Sequence, residues 1–105
     1  MGRQVRLCSL SELGPCEARR FEVQGKKIAL VRIGEEVYAI ADRCSHANYS
    51  LSEGEVLCED RQIECWKHGS AFSLETGEAL TLPATKPVAT YDLEIFGDDV
   101  MVTLP

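Results

Sequence analysis

Two short stretches of this chain hold side chains that bind metals. "DRCSHANYS", residues 42–50, carries Cys44 and His46, and "ECWKHGSAF", residues 64–72, carries Cys65 and His68. Eighteen residues separate His46 from Cys65. Each stretch offers one thiolate and one imidazole in the same order, with no helical or strand rhythm around the first pair. Two such loops, facing each other, present a cysteine pair on one side and a histidine pair on the other. That arrangement suits a binuclear centre in which each metal ion is held by a like pair. A [2Fe–2S] core needs two protein ligands per iron. Exchanging two anionic thiolates for neutral imidazoles on one iron raises its potential. Two other readings use the same residues. Cys2His2 is a zinc set, but C-x-H is tighter than the usual zinc knuckle and the Gly-Ser after His68 has no purpose for zinc. A Cys–His nucleophile pair is the third, and no Asn or Asp is placed by motif to orient it.

The elements that position these loops read as short strands. In "TYDLEIFGDDVMVTL", Tyr91, Leu93 and Ile95 share one face, and Val100, Val102 and Leu104 repeat the alternation on the return. Gly97-Asp98 between them suits a two-residue type II′ turn. Gly25-Lys26 and Gly34-Glu35 have the same form, so three strands make a meander running directly into the Cys44 loop. Residues 28–33 are apolar on both faces except at Arg32, which predicts a central strand. "SLSELG" at 9–14 predicts one helical turn capped by Ser9 or Ser11, and "LPATKP" at 82–87 a stiff, irregular loop in which Pro83 and Pro87 shape the chain. Gly69 and Gly77 read as turn residues. The expected fold is all-β: an antiparallel sandwich or barrel, one domain over 1–105, with a loop-rich insertion from about 43 to 87.

Bulk properties narrow the partners. Of 105 residues, 45% are hydrophobic and 27% charged, as in a soluble globular protein. The formal net charge is −6. An acidic surface disfavours nucleic acid and anionic membrane. It serves solubility, and it also fits a partner with a basic docking face. Glu53, Glu55, Glu59 and Asp60, between the two loops, are candidates for such a face or for a solvated acidic loop. "MGRQVRLCSL" has early charges with no apolar stretch behind them, and "IALV" and "VYAIA" are too short to span a bilayer, so the cytoplasm is the expected location. Five cysteines, an odd count without an export signal, predict reduced thiols rather than a disulfide framework. Cys8 and Cys58 read as small buried hydrophobes on strands, and Cys16 as an exposed loop residue.

The motifs "CSH" and "CWKHGS" resemble those of the Rieske iron–sulfur family. More narrowly, the chain looks like the small soluble Rieske-type ferredoxins that serve bacterial ring-hydroxylating and other non-heme iron oxygenases. The resemblance runs nearly end to end and is most specific in "DRCSHA" and "CWKHGSAFSLETGEAL". It implies a Rieske-like fold with a cluster-binding subdomain, one [2Fe–2S] cluster, and Cys44, His46, Cys65 and His68 as its ligands, the histidines on the solvent-facing iron. It implies a single-electron carrier and not an enzyme. A flavin-dependent reductase supplies the electron, a terminal oxygenase takes it, and both dock transiently at the His46–His68 edge; a monomer is expected. The proton site implied is the exposed nitrogen of each ligand histidine, so the potential should fall as pH rises at high pH. High-potential members of the family carry a further cysteine in each loop, joined as a disulfide, and neither loop here has one. They also use a serine and a tyrosine to donate hydrogen bonds to cluster and ligand sulfur. Ser70 stands at the serine place, while Phe72 replaces the tyrosine and cannot donate. Fewer donors predict a potential roughly around −150 mV rather than +300 mV. Trp66 replaces a proline common after the second-loop cysteine, and nothing here explains that change. A Rieske-type accessory role in cluster assembly or redox regulation, and a zinc-stabilised interaction module, are the alternatives.

Overall fold

A computed structural model describes residues 3–43, 50–66, 69–82 and 85–104. Cys44, His46, His68, Asn48, Tyr49 and Pro83 therefore lie outside the described residues. The elements in chain order are β1 (Arg3–Ser9), β2 (Cys16–Val23), β3 (Lys26–Ile33), β4 (Glu36–Ala41), β5 (Glu55–Leu57), β6 (Gln62–Glu64), β7 (Ala71–Ser73), β8 (Thr90–Tyr91), β9 (Leu93–Phe96) and β10 (Asp99–Leu104). Two 3-10 turns, Leu10–Glu12 and Leu51–Glu53, complete them. The first is the turn expected at "SLSELG", where Ser9 N donates to the Glu12 carboxylate at 2.6 Å. The fold is all-β, as expected.

Three antiparallel sheets form, ordered β1-β10-β9, β2-β3-β4-β8 and β5-β6-β7. The middle sheet carries the argument. Along β3, Ile28 and Leu30 join one core with Cys8, Leu13, Val100, Val102 and Leu104. Ala29 and Val31 join the other, with Leu51, Ile63, Cys65, Phe72 and Leu74. A strand alternates its side chains between faces, so one that is apolar at every position serves two cores at once. Ile28, Ala29, Leu30 and Val31 are all fully buried. Arg32 is accommodated because its guanidinium donates to the carbonyls of Leu10, Leu13 and Gly34 at 3.1, 2.8 and 2.7 Å. β1-β10-β9 covers the first core and the small sheet β5-β6-β7 the second.

The β3–β4 turn is Gly34-Glu35 and the β9–β10 turn Gly97-Asp98, as expected, with positive φ at the glycine of each. The β2–β3 turn differs by one residue. Val23 pairs with Lys26, so the turn is Gln24-Gly25, with φ of 51° and 78°. Two left-handed residues make it the type I′ form, whose twist also matches the flanking strands. The stretch 90–96 is two strands rather than one. β8 pairs with β4 in the middle sheet and β9 with β10 in the outer one. Asp92 lies at the crossing, its carbonyl accepting from Thr103 N at 2.8 Å. Among the described residues no helix is long and apolar enough to cross a membrane.

Candidate metal centre

Cys65 follows β6 directly and is fully buried against the second core. Its amide donates to Ser70 O at 2.7 Å and its carbonyl accepts from Gly69 N at 2.9 Å, so the chain turns back on Cys65 at Gly69 and Ser70. Gly69 reaches a φ of 73°, a left-handed conformation that a Cβ would strain. A second segment braces this turn from outside. Thr81 Oγ1 accepts from Ala71 N at 2.8 Å and faces Gly69 O at 3.4 Å, and Leu80 N donates to Ala71 O at 2.7 Å. Thr81 carried no sequence signal, because its role depends on a partner ten residues away.

Cys65 is in no disulfide. A buried thiol that is in no disulfide and whose own amide and carbonyl are both hydrogen-bonded fits a metal or cluster ligand. The donor set named by the sequence, two thiolates and two imidazoles, is the chemistry a [2Fe–2S] core with mixed ligation takes up. Lys67 and His68 in this loop, and Cys44 and His46 in the first, lie outside the described residues. Among the described residues no three His, Cys, Asp or Glu side chains come together as a metal-holding group.

The neighbours of Cys65 divide by burial. Ser70 and Phe72 are fully buried, and Phe72 takes part in the second core, filling space with a side chain that donates no hydrogen bond. Trp66 is 50% exposed and Leu82 is 77% exposed. Apolar surface therefore lies next to Cys65, at Trp66, and next to Thr81 of the bracing segment, at Leu82. Glu53, Glu55, Glu59 and Asp60 are all exposed.

The first loop leaves β4 at Ala41 and returns at Ser50. Asp42 is buried at its start, and Ser50 and Ser52 reach its carboxylate from the other end. Neither serine was singled out by the sequence.

Two cysteine expectations are corrected. Cys16 is exposed, as expected, but it begins β2 and is bonded to Cys58 rather than reduced, with a Cα–Cα distance of 6.2 Å, inside the span a disulfide bridges. Cys58 lies in the turn after β5, half-buried, rather than in a buried strand position. The odd cysteine count does not bear on this pair, because what joins it is the closeness of β2 to the small sheet across 42 residues of sequence. Cys8 is buried on β1, as expected, and burial pushes its thiol up from the ordinary range. The turn that carries Cys58 makes a second link: Arg61 Nε donates to Glu36 Oε2 at 3.0 Å and to Tyr38 Oη at 3.1 Å on β4.

Comparison with known proteins assigns this architecture. Residues 3–92 match the family model described as the Rieske [2Fe–2S] domain. The chain is 43% identical over 102 residues to the 3-phenylpropionate/cinnamic acid dioxygenase ferredoxin subunit of Shigella flexneri serotype 5b, covering 97% of this chain and 94% of that one. It superposes on the ferredoxin of carbazole 1,9a-dioxygenase from Nocardioides aromaticivorans IC177 with a TM-score of 0.92, at 37% identity over 94% and 95% of the two chains. A complex of reduced oxygenase and oxidized ferredoxin in carbazole 1,9a-dioxygenase contains a similar chain, with a TM-score of 0.88 and 35% identity over 94% and 91% of the two. The chain thus belongs to the Rieske [2Fe–2S] family, as an electron-transfer protein of the ferredoxin type whose cofactor is one [2Fe–2S] cluster.

Proposed function

We propose that this protein carries single electrons from a flavin-dependent reductase to a terminal oxygenase, with its cluster held by Cys44, His46, Cys65 and His68. Cys65 carries the ligand reading: it is the one described member of the set, and it is a buried, unbridged thiol whose own amide and carbonyl are both hydrogen-bonded. The oxygenase reading is supported by relatives that match over nearly their whole length and are named as dioxygenase ferredoxin subunits, and by a structural relative in complex with an oxygenase. The cluster supplies a one-electron couple. Cys44 and Cys65 would give it two anionic sulfurs, and His46 and His68 two neutral nitrogens. The backbone bonds of Cys65 to Gly69 and Ser70 would fix Cys65, and buried Phe72 would keep water from its inner side. Trp66 and Leu82 offer a partner apolar surface beside the turn, with acidic residues at the small sheet to aid encounter. Cytoplasmic location, a monomeric state and one domain over 1–105 with the insertion at about 43–87 belong to the same reading.

The test is spectroscopic. Anaerobically purified protein is expected to be red-brown, with two irons and two sulfides per chain, and to give on reduction a rhombic EPR signal with an average g below the free-electron value. His46→Ala and His68→Ala should abolish it. A colourless protein holding zinc, refractory to reconstitution with iron and sulfide, would overturn the reading.

A further inference from the structure

Asp42 directly follows β4, two positions before Cys44, and its side chain is fully buried. A buried carboxylate is costly unless donors surround it, and here they come from across the first loop. Ser50 Oγ donates to Oδ2 at 2.5 Å, Ser52 Oγ to Oδ2 at 3.1 Å, and Ser52 N to Oδ1 at 2.6 Å. Arg20 Nε on β2 stands 3.9 Å from Oδ2. The backbone of Asp42 is itself fixed, its amide donating to Lys27 O at 3.0 Å. On the returning side, Leu51 between the two serines is fully buried in the second core. Both stems of the loop are therefore anchored in the body of the protein, and one carboxylate joins them.

We propose that Asp42 is a positioning residue for electron transfer: by bonding Ser50 and Ser52, its carboxylate sets the separation of the two stems and so the approach of Cys44 and His46 to the cluster. This rests on the ligand reading above. Seven residues, 43–49, lie between the stems. A loop that short follows the placement of its ends closely, and a ligand displaced by a fraction of an ångström changes the ligand field it imposes. Asp42 also acts by charge. A carboxylate two residues from a proposed ligand would oppose an electron arriving at the cluster.

Two variants separate the roles. Asp42→Asn keeps the shape and removes the charge, whereas the Ser50→Ala/Ser52→Ala double variant keeps the charge beside Arg20 and removes both hydroxyls. Each is prepared with its cluster and compared with wild type in four measurements: the reduced EPR spectrum, the midpoint potential, the rate of iron loss to a chelator, and far-UV unfolding. We expect both to fold, to lose iron at least about tenfold faster, equivalent to about 1.4 kcal/mol, and to show shifted or broadened g values. The Asn variant alone should also have a clearly raised potential. A merely structural Asp42 would lower the unfolding midpoint and leave g values and potential at wild type, and that result overturns the proposal. Should the Asn variant not fold, the double-serine variant decides the matter through EPR and iron loss. His46→Ala is the control. If it keeps the wild-type signal, the ligand reading fails and this inference with it. If it loses the signal while the double-serine variant behaves as wild type, the clamp alone fails.

Discussion

The two faces of the β2-β3-β4 sheet are covered in different ways. One is closed by β1-β10-β9, where β1 and β10 pair from Arg3↔Leu104 to Ser9↔Asp99 with one register shift between Arg6 and Cys8. The other is closed by β5-β6-β7, whose strands have three residues each. A three-residue strand offers too few ladder bonds and too little apolar area to stand alone. Its sheet shares the second core and is further tied to the body by single links: the Cys16–Cys58 bridge and Arg61 on Glu36 and Tyr38. The continuous face lends itself to stability and the linked face to holding a ligand turn, since links at separate points leave the loops between them free to take irregular shapes.

The largest test of this contrast is a core truncation on each side. Phe72→Ala empties space in the core that holds Cys65, at an expected cost of about 3–5 kcal/mol, and Leu104→Ala empties space in the opposite core, at about 2–5 kcal/mol. Unfolding followed by circular dichroism and by the visible cluster band should separate them. In Phe72→Ala the visible band is expected to bleach at a lower temperature than the global transition. In Leu104→Ala the two should coincide. Coincidence in both would mean that the faces unfold as one unit and the contrast has no energetic content.

A smaller effect is expected at the bridge. Closing a loop across 42 residues of sequence removes chain entropy from the unfolded state, worth up to about 4 kcal/mol by the polymer estimate. Cys16→Ser, compared with the bridged protein, should lower the unfolding midpoint, and a dithiol should bring the wild type down to the same value. A midpoint unmoved by either treatment would show that the remaining links carry the small sheet without it.

The same contrast decides what could be read from the sequence. On the continuous face the pattern was strong: Val100, Val102 and Leu104 alternate, Gly34-Glu35 and Gly97-Asp98 mark their turns, and the unbroken apolar run of β3 announced burial on both sides. The errors there are local. Gln24 has no signature for the left-handed conformation it adopts, so the turn was placed one residue late. The alternation in 90–96 runs unchanged through the crossing at Asp92, because side-chain period reports facing and not which sheet a strand joins. On the linked face only the motifs proposed as ligands were legible, since Cys44-x-His46 and Cys65-x-x-His68 stand out by residue type. What fixes the small sheet and the loop stems comes from distant pairs, Cys16 with Cys58, Asp42 with Ser50 and Ser52, Thr81 with Ala71. Each is an ordinary surface or turn residue until the fold brings its partner up.

The smallest expected effect lies at Arg61, and it tells a specific charge contact from general acidity. Arg61 sits in the turn after β5 with a φ of 52°, and its carbonyl accepts from Leu74 N at 2.9 Å. Its guanidinium meets Glu36, which also accepts from the Tyr38 hydroxyl at 2.5 Å. The Arg61 hydrogen bond, then that of Tyr38, holds the Glu36 carboxyl below the ordinary glutamate range. A carboxyl depressed in the folded state stabilises the fold above its unfolded pKa and loses that contribution as pH falls through the folded one. Glu36→Gln should therefore be slightly less stable than wild type at neutral pH, within the range of surface substitutions. The gap should narrow on acidification and close below the depressed pKa. Both partners are exposed, so added salt should shrink it as well. Denaturant midpoints of the two proteins across acidic and neutral pH, at low and high salt, measure it. A gap that ignores both pH and salt would assign the loss to altered hydrogen-bond shape around Tyr38, and the link from the small sheet to β4 would then be one of fit rather than charge.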